Sequence, residues 1–373
     1  MNNLLNNQSS YVLEIIVDNY YIKGFLYLDR DLLVSKKIVI PRDFFYPQFE
    51  RDIFVQSFIS DISKMYETYI SYSGNLKKNI YSTLENFEKD FLKISDNFYH
   101  IDQKFVNDKV SYFSNKIKTN VYVINLSRDT VFISSNNGYN NIVKEHGDPY
   151  IDIFSIKRMS DFPLIQSKIR KSQLYNSIIK PSVNKNDLTY LAISSILIEN
   201  SITSLQFPSD DVIPAIVLSG DIYEVFRNET LTILSLLFGL KLYGVVSLFI
   251  DKSYIFPMLG VLPDNDIENS IIKLADIFSA RFEKNTKDYI FLKIVDENSI
   301  KEEKVKFGDL INIPIKTKSH VTINLPHKCF IGTKSGTIEF IANNNIVIDT
   351  RAGSLDVFKH LKEWVENFDP LSF

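Results

Sequence analysis

Residues 11–28 read YVLEIIV-DNY-YIKGFLYL. Two runs rich in β-branched and aromatic residues flank Asp18-Asn19-Tyr20. Asp and Asn tolerate the left-handed backbone of tight turns, so the spacing predicts a β-hairpin. Residues 36–40 (KKIVI), just before Pro41, supply a third strand. From Asn120 the pattern returns: residues 121–124 (VYVI) and 130–134 (TVFIS) bracket the segment LSRD, and Asn136-Asn137-Gly138 makes another turn. Between the two units, residues 52–118 carry apolar side chains at helical spacing, among them Phe54, Phe58, Ile62 and Met65, then Phe87, Phe91 and Ile94. They read as helices with solvated charged faces.

Two hairpins, each followed by a helical pattern, suggest a duplicated α/β architecture. That is the organisation of actin-like ATPase folds, in which two ribonuclease-H-like halves enclose a nucleotide. After the second hairpin, residues 187–203 lack Gly and Pro and place Leu188, Leu191, Ala192 and Ile196 on one helical face. Pro214-AIVLSGD then reads as a short apolar strand. Residues 231–250 (LTILSLLFGLKLYGVVSLFI) are long enough to cross a bilayer, but Lys241 at their centre argues against it. A buried helix to about residue 240, a turn, and a strand over 245–250 fit better, with a further helix over 266–282. From residue 288 the short runs IFLKIV, LINIPI, HVTINL, TIEFIA and IVIDT predict a compact β-domain, closed by an amphipathic helix over 357–368 with Phe358, Leu361, Trp364 and Val365 inward. The expected domains are 1–119, 120–287 and 288–373.

Composition narrows the function. A chain of 373 residues with 45% hydrophobic and 23% charged residues has the means to build more than one core. A net charge of −3, with the basic residues dispersed, speaks against a dedicated nucleic-acid binder. The lone Cys329 excludes an internal disulfide and a thiolate zinc site, and the five histidines are scattered. The start, MNNLLNNQSS, lacks the basic and apolar regions of a signal peptide. A cytoplasmic protein without a membrane span is expected.

The run from Pro214 to Leu262 resembles the MutL-like accessory family linked to glutamate (methylaspartate) mutase, an actin-like family. The matching positions are Ser219, Gly220, Gly244, Val245, Asp251 and Leu259-Gly260. Residues 175–182 with 187–199, and residues 308–315 through Asp349-Thr350-Arg351, are similar to two further stretches of that family, and the motifs keep a common order. The resemblance implies a nucleotide cleft. Such folds use an acidic residue to organise magnesium and water, and glycines that let backbone N–H groups reach phosphates. Here Glu14 occupies the first acidic position, but Ile16 replaces the following glycine. Asn125 stands where the second loop has Asp, Ser127 and Arg128 stand for glycines, and Thr130 keeps its type. Leu218 and Asp221 replace small glycines beside Ser219 and Gly220.

Glu14, Asn125, Ser127, Thr130, Ser219 and Gly220 are therefore the candidate, degenerate cleft, with no catalytic or metal-ligating residue assigned. ATP with magnesium is the only cofactor implied. The expected function is a non-catalytic scaffold or interaction protein with a protein partner. The alternatives are an ATP-binding accessory or reactivation factor for a cobalamin-dependent mutase, and a cytoplasmic assembly platform. Asp349 and Arg351 share a strand face and read as a structural ion pair; Cys329 reads as buried and inert.

Overall fold

The computed structural model describes residues 11–17, 21–29, 31–39, 76–82, 91–93, 95–101, 103–126, 130–136, 141–145, 213–220, 232–234, 236–237, 240, 242–252, 269–282 and 288–351, with positions 57, 60, 61, 64, 256, 259 and 267. The strands are β1 (Tyr11–Val17), β2 (Tyr21–Leu28), β3 (Asp31–Val39), β4 (Leu76–Ser82), β5 (Asn97–His100), β6 (Val121–Leu126), β7 (Thr130–Ser135), β8 (Asn141–Glu145), β9 (Ala215–Ser219) and β10 (Gly244–Asp251). They continue with β11 (Ile271–Phe282), β12 (Tyr289–Val295), β13 (Ile300–Lys306), β14 (Leu310–Ile313), β15 (Ser319–Asn324), β16 (Cys329–Ile331), β17 (Thr337–Ala342) and β18 (Asn345–Asp349). Helix α1 spans Gln103–Ile117. The chain divides into two compact units: Met1–Lys109 with Ser172–Pro181 and Phe256–Asn269, and Val110–Lys171 with Ser182–Ile255 and Ser270–Phe373.

The first unit holds a sheet of order β3-β2-β1-β4-β5. The β1–β2 and β2–β3 pairs are antiparallel; β1–β4 and β4–β5 are parallel. In the second unit the same arrangement recurs as β8-β7-β6-β9-β10, antiparallel through β6–β7–β8 and parallel through β6–β9–β10. This sheet continues through β11 and β18 to β14, while β16 pairs with β11. A separate sheet of order β13-β12-β15-β17 lies beyond. The burial of β1 explains its sequence: Leu13, Ile15, Ile16 and Val17 are all fully buried, so both faces of this central strand are apolar and simple alternation is lost.

The two hairpins and the strand at 215–219 form as the sequence predicts. Residues 231–250 divide as expected, with helical positions at 232–234 and 236–237 followed by β10. Among the described residues no helix is long and apolar enough to cross a membrane.

Three expectations need correction. Residues 271–282 form β11 rather than a helix. They are flanked by β10 and β18, and a strand buried on both sides reads as a nearly continuous apolar run that periodicity cannot tell from a buried helix. The stretch 52–118 is not helical throughout: it contributes β4 and β5, which pair far from their neighbours in sequence. LINIPI and IVIDT, read with the C-terminal β-rich segment, supply β14 and β18 to the long sheet. The helices expected at 187–203 and 357–368 lie outside the described residues, as do Phe54, Phe58, Ile62, Met65 and Phe87.

Candidate functional site: two buried polar rows

Where strands run parallel and in register, paired residues point to the same side of the sheet. In the first unit this aligns Glu14 of β1 with Asn79 of β4 and Asn97 of β5. Asn97 Nδ2 donates to Asn79 Oδ1 at 2.7 Å, and Asn79 Nδ2 donates to Glu14 Oε1 at 2.8 Å. Glu14 is 1% exposed. Two residues along β4 and β5, Tyr81 stacks on Tyr99 with ring centroids 4.9 Å apart, and Phe105 of α1 lies against both rings.

The electrostatics of this row follow from its burial. Burial pushes the Glu14 carboxyl above its ordinary value of 4.5, against the opposing pull of the Asn79 bond, the Tyr81 hydroxyl and the charges of Lys77 and Lys109. Glu14 Oε2 and the Tyr81 hydroxyl are both buried without a well-aligned hydrogen bond, yet each shifts the other's titration. Burial, then the Glu14 charge, drives the Tyr81 phenol upward. Lys109 is pushed down by burial, countered by Asp108 and Glu14; its Nζ donates to Leu259 O at 2.6 Å and sits 4.9 Å from the Phe105 ring centre.

The second unit carries a row on the corresponding strands. Asn125 of β6 pairs in register with Ser219 of β9, and Ser219 lies beside Asp251 at the end of β10. Ser219 Oγ donates to Asp251 Oδ2 at 3.0 Å. All three are buried, Ser219 and Asp251 at 1% exposure. Gly220 follows with φ of 112°, a left-handed backbone that a side chain would strain, so the glycine ends β9 for a conformational reason.

Of the sequence-derived candidates, Glu14 belongs to the first row, and Asn125, Ser219 and Gly220 gather at the second. Thr130 opens β7, and Ser127 lies outside the described residues. Sequence reasoning missed Asn79, Tyr81, Asn97 and Lys109. Their only signal was an amide in each of KKNIYS and NFYH, visible as a row once those segments are known to be adjacent strands.

Two further expectations concern structure. Arg351 grips Asp349 with Nε to Oδ1 at 2.8 Å and Nη2 to Oδ2 at 2.7 Å, and Nη2 also donates to Leu237 O at 2.8 Å. This buried two-pronged pair ties the end of β18 to the helical turn at 236–237. Cys329 is fully buried, and burial pushes its thiol up to about 11, which leaves little thiolate to react. Among the described residues no group of His, Cys, Asp and Glu is placed to hold a metal ion.

No family model matches the chain, and no curated protein matches it. Solved structures do resemble it. An activator of the 2-hydroxyisocaproyl-CoA dehydratase from Clostridium difficile with bound ADPNP is 12% identical, covering 67% of this chain and 92% of its own, at a TM-score of 0.38. Component A of the Acidaminococcus fermentans (R)-2-hydroxyglutaryl-CoA dehydratase is 11% identical over 67% and 94%, at 0.36. The ethanolamine utilization protein EutJ from Carboxydothermus hydrogenoformans is 8% identical over 66% and 86%, at 0.34. Identities and TM-scores this low carry nothing about function; strand order and direction within this chain are the stronger observation.

Proposed function

We propose that the chain is an actin-like protein that does not turn over nucleotide and acts as a scaffold through contacts with a protein partner. Residues 1–119 and 120–287 are its two ribonuclease-H-like halves, and 288–373 its β-rich addition, from which β14 and β18 join the long sheet of the second half. The repeated strand order supports the duplication. Membership of the MutL-like family is part of the same proposal and rests on the order of the motifs.

One observation carries the non-catalytic reading. The carboxyl in the first acidic position, Glu14, is buried at 1% exposure, holds an internal hydrogen bond and is biased toward its neutral form. An acid sealed from solvent, whose charged form burial disfavours, is poorly placed to organise a divalent cation. The second row fits the same reading, since Asn125 supplies an amide where an acid is required and the Ser219 hydroxyl is engaged by Asp251.

Phosphate release from ATP with magnesium tests the proposal. The expected rate is background, unchanged in Glu14→Ala. Stoichiometric, magnesium-dependent hydrolysis abolished by that substitution overturns it and makes the ATP-dependent accessory factor the better reading.

A further inference from the structure

We draw no further inference here: the strongest candidate, the surface patch of Tyr289, Phe291, Lys304 and Lys306 on the outer face of the sheet β13-β12-β15-β17, carries none, because the adjoining row sets Lys293 between Glu302 and Glu339 and nothing in the structure shows what covers that face.

Discussion

The polar rows of the two units sit on corresponding strands but place their acid at opposite ends. In Glu14–Asn79–Asn97 the carboxyl is on the first strand and receives an amide, with two stacked tyrosines alongside. In Asn125–Ser219–Asp251 the first strand supplies the amide and the carboxylate closes the third, receiving a hydroxyl. Both arrangements solve the same problem: a buried polar group is tolerable only when hydrogen-bonded, and adjacent parallel strands offer a partner at the same height. The difference is in the acid's surroundings. The first row keeps its acid deep beside a phenol, where the neutral form is favoured. Neither acid reaches solvent: Glu14 and Asp251 are each 1% exposed and each accepts an internal hydrogen bond.

The largest effect is expected from Asn79→Leu, which removes the donor to Glu14 and the acceptor of Asn97 together. Stranding a buried acid in this way costs about 2–4 kcal/mol, read as a lower denaturation midpoint at unchanged slope. Ser219→Ala breaks only the hydroxyl bond to Asp251 and should cost about 1–2 kcal/mol. A cost for Ser219→Ala matching that of Asn79→Leu would erase the asymmetry between the rows.

Glu14→Gln sharpens the comparison through pH. The folded carboxyl titrates above its ordinary value of 4.5, so folding takes up a proton between the two values. The stability Glu14 contributes is therefore full below the unfolded value and is lost as pH rises through the folded one. Denaturation of the wild type and Glu14→Gln as pH rises from acid should show the wild type losing ground once pH passes 4.5, until the folded carboxyl has ionised, whereas Gln, which cannot ionise, holds its contribution. A difference independent of pH would place Glu14 in solvent. The smallest effect belongs to Cys329: with its thiol raised to about 11, alkylation of the native protein at neutral pH should be negligible and should appear only on unfolding.

How much of this the sequence disclosed depended on range. The hairpin at Tyr11–Leu28 is local and rich in β-branched and aromatic residues, so it was legible, as was Glu14 within it. Asn79 and Asn97 were not, because KKNIYS and NFYH lie in an aromatic stretch whose spacing imitates helices. Their strand character comes from parallel pairing with β1, a contact far along the chain. β11 misled for the complementary reason: between two partners its residues need no alternation. β13 escaped notice because an edge strand loaded with charge resembles a solvated loop. The Asp349–Arg351 pair followed from strand geometry, but its anchor on the Leu237 carbonyl did not.

The most direct test of the account is calorimetric titration of the full chain with ATP and magnesium, beside a Ser219→Tyr variant. Two rows occupied by internal hydrogen bonds predict no detectable heat at millimolar nucleotide in either protein. Micromolar binding by the wild type, lost in Ser219→Tyr, would contradict it and show that the turn after β9 still receives a nucleotide.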